Sequence, residues 1–151
     1  KYVVDALHGA EFLVKHNLRL TDINPYNIAI DLTQDRGQLF DYDSLFTDSF
    51  DLEGYVTHPG FCPPERLPEP PQDESISVLR NSFNLLMFDI PKQKSGVITE
   101  AAMVFEFGKT LQIVFLSFDV RPPEILTKMI SNNPDERPSL KTIISTLNKE
   151  A

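Results

Sequence analysis

The sequence predicts a mainly α-helical fold with a small β-hairpin, built around a buried central helix. Apolar residues recur at helical spacing in several separate segments, one long segment is apolar on nearly every side, and two short apolar runs flank a turn-rich polar stretch. In residues 2–15, Val3, Leu7, Ala10 and Val14 mark one helix face, and His16-Asn17 supply a stop. Residues 28–30 and 39–40 are the apolar arms of the hairpin, separated by the polar segment 31–37. Residues 41–71 show no period, are rich in Asp, Gly and Pro, and read as one long ordered loop.

Residues 75–88 read as a further helix, with Val78, Leu79, Phe83, Leu86 and Met87 on or near one face, and residues 91–96 break it. Residues 101–118 carry Met103, Val104, Phe105, Phe107, Leu111, Ile113, Val114 and Phe115, the pattern of a helix buried all round at the centre of a domain. Pro122 and Pro123 suit the first turn of a helix over 124–131. Ser139 can cap a last helix whose Leu140, Ile143, Ile144 and Leu147 fall at i, i+3, i+4 and i+7.

The composition narrows function. A net charge of −8 repels phosphate backbones and anionic lipid, so no nucleic-acid partner is expected. Apolar runs such as 113–116 are too short for membrane insertion. The single cysteine, Cys62, permits no intramolecular disulfide or cysteine-rich metal site, which favours a reducing, intracellular and cytoplasmic setting. A small buried apolar role suits Cys62 better than nucleophilic chemistry. His8, His16 and His58 are not at metal-ligand spacing.

The chemistry-bearing residues lie around the hairpin. Asp22 and Asn27 stand with four residues between them in a tight turn ahead of it, and Asp41 follows its second apolar run. Hard oxygen donors of this kind serve phosphoryl transfer, in which a carboxylate orients the attacking hydroxyl and others hold magnesium against phosphates.

Residues 20–28 (Leu-Thr-Asp-Ile-Asn-Pro-Tyr-Asn-Ile) resemble the catalytic loop of protein kinases, H-R-D-x-x-x-x-N. Asp41-Tyr42-Asp43 resembles D-F-G, and Pro63-Pro64-Glu65 resembles A-P-E. Phe107-Gly108 and the run from Asn133 to Pro138 match later landmarks in order. The resemblance spans nearly the whole chain, residues 1–151, and implies a protein kinase-like C-terminal lobe, with residues 66–100 an insertion in it. It implies Asp22 as the catalytic aspartate, Asn27 and Asp41 as ligands of Mg2+ and ATP, and an ion pair between Glu65 and Arg137 that ties the activation segment to the helical base. Residues 54–65 would position a protein substrate.

Several positions depart from the family. Leu20 and Thr21 replace histidine and arginine, so a phosphate-held activation segment is not expected. Asn24 stands where many such kinases carry a lysine near the transferring phosphate. Asp43 replaces a glycine, and Met103 takes the place of the aspartate that starts the buried helix and braces the catalytic loop. No glycine-rich loop, phosphate-binding lysine or partner glutamate is found. The ATP-gripping N-terminal lobe is thus expected to be absent from the chain, which is inactive alone. An atypical protein kinase, transferring phosphate to a protein hydroxyl once that lobe is supplied, is the first expectation. A pseudokinase or lobe-only module that binds a protein partner is the alternative.

Overall fold

The computed structural model describes residues 1–49, 60–67 and 96–150 of the chain. The helix expected over 75–88, most of the expected insertion, His58 and residues 54–59 of the expected substrate-positioning stretch lie outside the described residues. The described fold is mainly helical with two small antiparallel strand pairs.

Helix α1 (Tyr2–Lys15) buries Ala6, Leu7, Ala10 and Leu13 along one stripe. Asp5 in its first turn and Lys15 in its last both complement the helix dipole. The amides of His16 and Asn17 bond back to the Leu13 and Val14 carbonyls at 3.0 and 3.1 Å. Asn17 then turns the chain away at φ 59°, a left-handed conformation that asparagine tolerates better than most residues.

Four short strands follow: β1 (Leu18–Leu20), β2 (Ile28–Asp31), β3 (Arg36–Leu39) and β4 (Leu45–Thr47). The expected hairpin is β2–β3, with Ile28 opposite Leu39 and Asp31 opposite Arg36. The Asp31 carboxylate accepts the amides of Thr33 and Gln34 at 2.8 and 3.0 Å, which shapes the turn. Gly37 lets β3 press against α1, because a Cβ there would overlap the carbonyl oxygen of Tyr2. The Asp5 carboxylate accepts the Gly37 amide at 3.0 Å in the same contact.

The second pair, β1–β4, corrects the expectation of a single hairpin and of one long loop over 41–71. Leu18 pairs with Thr47 and Leu20 with Leu45. Three-residue strands leave no readable alternation, and each partner is distant in sequence, so pairing rather than local pattern defines them.

Helix α2 (Glu100–Ser117) starts where Thr99 Oγ1 accepts the Ala102 amide at 3.1 Å. Its first part is enclosed: Met103, Val104, Phe107 and Leu111 join Leu7, Ile23 and Leu140 in one core. Ile113 and Leu116 are exposed, so the helix is central only over its first turns and not buried all round as expected. The core around it reaches no further than Leu111, with Phe115 packed at its margin.

Two further helices close the base. α3 (Glu124–Met129) is shorter than the expected 124–131, and Pro123 precedes it as its cap. Gly108 of α2 lets it approach, since a Cβ there would lie 2.6 Å from Ile130 Cγ2 and 2.9 Å from Met129 Cβ. α4 (Leu140–Glu150) begins at Ser139, whose carbonyl accepts the Ile143 amide at 3.0 Å and whose hydroxyl accepts the Thr142 amide at 3.3 Å. Leu140, Ile143 and Ile144 are buried. No helix among the described residues is long and apolar enough to cross a membrane.

Candidate functional site

Two loops carry the residues singled out by the sequence. The first, residues 21–27, links β1 to β2; the second, residues 40–44, links β3 to β4. Because β1 pairs with β4 and β2 with β3, both loops emerge at the same edge of the strand pairs. Backbone hydrogen bonds join them: Thr21 N–H to Ser44 O at 3.2 Å and Phe40 N–H to Asn27 O at 3.1 Å. Asp22, Asn27 and Asp41 therefore belong to one structural unit, although they come from separate parts of the sequence.

The loop around Asp22 is pinned at nearly every backbone group. Asp22 sits at φ 60° and Asp41 at φ 62°, left-handed conformations that aspartate adopts more readily than most non-glycine residues. Asn27 Nδ2 donates to Asp22 O at 2.9 Å and to Asp22 Oδ2 at 3.3 Å. Asn24 Nδ2 donates to the same carbonyl at 3.0 Å, while Asn24 Oδ1 accepts the Tyr26 amide at 2.9 Å. Asn24 is buried, with both ends of its amide committed to the turn that starts at Pro25.

The next residue is held by α2. Ile23 N–H donates to Glu106 Oε2 at 2.8 Å, and Thr110 Oγ1 donates to Ile23 O at 3.1 Å. Glu106 and Thr110 are each 2% exposed. Burial pushes the Glu106 carboxyl up to about 8; the Ile23 amide and the Arg66 guanidinium pull it down, and the nearby Asp22 charge adds to the rise. Met103, by contrast, is a fully buried apolar residue of the core. The carboxylate of this helix that bonds to the loop is Glu106, one turn further along than Met103. Sequence reasoning missed Glu106, Thr110 and the buried Arg66. The available signal was a single carboxylate between Phe105 and Phe107 in an otherwise apolar run, since such a group is kept only where it is bonded.

As a metal site, the edge offers limited but suitable chemistry. Among the described residues no three His, Cys, Asp or Glu side chains cluster to hold a metal ion. Asn27 Nδ2 faces Asp22, which leaves Asn27 Oδ1 as its acceptor atom, and the Asp41 side chain makes no bond to the turn it caps. An amide oxygen and a carboxylate suit magnesium, which commonly takes one or two protein oxygens and completes its shell with phosphates and water.

Glu65 and Arg137 meet as a forked pair. Arg137 Nη1 and Nη2 donate to Glu65 Oε1 and Oε2, both at 2.7 Å. Arg137 Nε also donates to Ser131 O at 2.9 Å and Nη1 to Ala101 O at 2.9 Å, and the guanidinium lies 4.8 Å from the centre of the Phe105 ring. Residues 60–67 are thereby fastened to α2 and to the turn before α4. Cys62 in this segment is buried, and burial raises its thiol to about 12, which leaves it protonated and unreactive. His8 and His16 are exposed. No protein-family model and no curated protein matches the chain.

Proposed function

We propose that the chain is the C-terminal lobe of an atypical protein kinase, which transfers the γ-phosphoryl group of ATP to a protein hydroxyl. A glycine-rich loop and a phosphate-binding lysine come from another segment or chain, because these 151 residues contain neither. The observation that carries the proposal is the joining of the two loops, through Thr21 to Ser44 and Asn27 to Phe40, so that Asp22, Asn27 and Asp41 share one edge. Exposed Tyr26, Phe40 and Tyr42 border that edge and provide apolar surface for a second lobe.

Asp22 orients the substrate hydroxyl and accepts its hydrogen bond as the oxygen attacks. Asn27 fixes the Asp22 backbone through Nδ2, and its Oδ1 is the atom that would be offered to a cation. Asp41 and Asn27 would hold a magnesium ion carried in with ATP, which when bound would neutralise charge on the transferring phosphate. Glu65 and Arg137 anchor the segment that presents the protein substrate.

A second reading, a pseudokinase that acts by binding a partner protein, is favoured by Asn24. Its amide is spent inside the loop, so no side chain at that position faces the transferring phosphate. Transfer of radiolabelled phosphate by the protein completed with its ATP-gripping lobe separates the two. Asp22→Asn lowers kcat about 100-fold or more while nucleotide binding is retained. Asp41→Asn weakens both. Transfer unchanged in Asp22→Asn overturns the proposed mechanism, and no transfer from the wild type with magnesium or manganese supports the second reading.

A further inference from the structure

We propose that Glu106 and Thr110 are positioning residues for Asp22, acting as a clamp on the two sides of the peptide chain at Ile23. The clamp deepens the kinase reading above and rests on it for its catalytic consequence.

Glu106 and Thr110 are separated by one helical turn of α2, so their side chains project from the same face. That face meets Ile23, whose N–H is taken by Glu106 at 2.8 Å and whose C=O is taken by Thr110 at 3.1 Å. Ile23 is itself fully buried. A residue whose donor, acceptor and side chain are all fixed cannot rotate its backbone, and the residue before it inherits that restraint. Asp22 is that residue, and it sits at a left-handed φ of 60°, a conformation aspartate reaches more readily than most residues and which the bonds on either side hold in place. Asn24 and Asn27 complete the restraint from the other side by both holding Asp22 O. The carboxylate of Asp22 is thus aimed by a helix that touches no substrate.

The burial of both groups explains their chemistry. A threonine hydroxyl and a carboxyl enclosed in an apolar helix would be costly without partners, and each finds its partner on Ile23. With burial raising its carboxyl to about 8, Glu106 is largely neutral at pH 7. Glutamine matches it in size and charge and keeps an oxygen for the Ile23 amide, which makes Glu106→Gln the conservative replacement. Thr110→Val removes only the hydroxyl donor, and Thr110→Ser keeps it.

Two measurements test the clamp. In the 151-residue chain, amide hydrogen exchange and backbone NMR shifts of Asp22 and Ile23 are recorded for wild type, Thr110→Val, Thr110→Ser and Glu106→Gln. The clamp predicts Ile23 amide exchange about tenfold or more faster in Thr110→Val, with shifted Asp22 signals, and near-native values in the two conservative variants. In the completed kinase, Thr110→Val lowers kcat about tenfold with KM for ATP nearly unchanged, and Thr110→Ser restores it. Native exchange and native Asp22 signals in Thr110→Val overturn the clamp. So does a loss of kcat that Thr110→Ser fails to restore. If the completed wild type transfers no phosphate, the kinase reading fails, and the NMR comparison still decides whether the clamp sets the Asp22 backbone.

Discussion

Removing the Arg137 guanidinium tests the tie between residues 60–67 and the helical base. In Arg137→Ala the Glu65 carboxylate loses two 2.7 Å bonds, and the carbonyls of Ser131 and Ala101 lose one 2.9 Å bond each. The Arg137 side chain is fully enclosed, while that of Glu65 is 30% exposed. Truncating one member of a buried pair costs about 3–5 kcal/mol, chiefly because the remaining charge is left unpaired. The partial hydration of Glu65 lowers that part, and the Ser131 carbonyl left without its donor adds about 1 kcal/mol, while the Ala101 carbonyl keeps its helical partner within α2. The expected loss is therefore about 3–4 kcal/mol. Glu65→Ala should cost at least as much, since it strands the more deeply enclosed charge. Urea unfolding followed by far-UV circular dichroism measures both, and the double variant should lose less than the sum of the single losses. A loss below about 1 kcal/mol in Arg137→Ala would refute the reasoning, because an exposed ion pair would behave that way.

Two other outcomes follow from the packing of α2. Glu106 holds its proton to about pH 8 in the folded chain against an ordinary value of 4.5, so the unfolded chain ionises first as pH rises. Stability from this group is therefore highest below about pH 4.5 and declines up to about pH 8. Glu106→Gln removes that decline, so urea-unfolding curves at about pH 5 and pH 9 should show the variant gaining a few kcal/mol relative to wild type as pH rises; parallel behaviour of the two proteins would contradict the buried carboxyl. Gly108→Ala brings a methyl against Met129 and Ile130, an overpacking cost of about 1–3 kcal/mol. The gain in helix propensity of about 1 kcal/mol offsets only part of it, so the thermal midpoint should fall; a rise would show that α3 does not pack as closely as described.

Much of the helical frame was legible from local sequence. Val3, Leu7 and Ala10 in α1 and Leu140, Ile143 and Ile144 in α4 repeat at helical spacing, and Ser139 occupies the cap its sequence position suggested. The β2–β3 hairpin was legible because its turn residues stand between its two arms. What was not legible depends on partners far apart in sequence. β1 and β4 are too short to carry a period and are defined by each other. The exposed end of α2 has the same composition as its buried start, and only the extent of the surrounding core separates them. Asp22, Asn27, Asp41, Glu65 and Arg137 were chosen from ordered short motifs. The residues that hold Asp22 in place, Glu106 and Thr110, lie more than eighty positions from Ile23, so no local motif joins them to it.

The most direct test of the proposed metal-holding edge is paramagnetic broadening by Mn2+, which substitutes for Mg2+ at oxygen sites and reports even weak occupancy. Backbone and side-chain NMR signals of the chain are followed as Mn2+ is added at low concentration, for wild type and for Asp41→Asn. The account predicts broadening centred on Asn27 and Asp41 and extending to Asp22, and much weaker broadening there in Asp41→Asn. Broadening at other acidic positions such as Asp31 and Asp35, with the Asn27 and Asp41 signals left sharp, would contradict it.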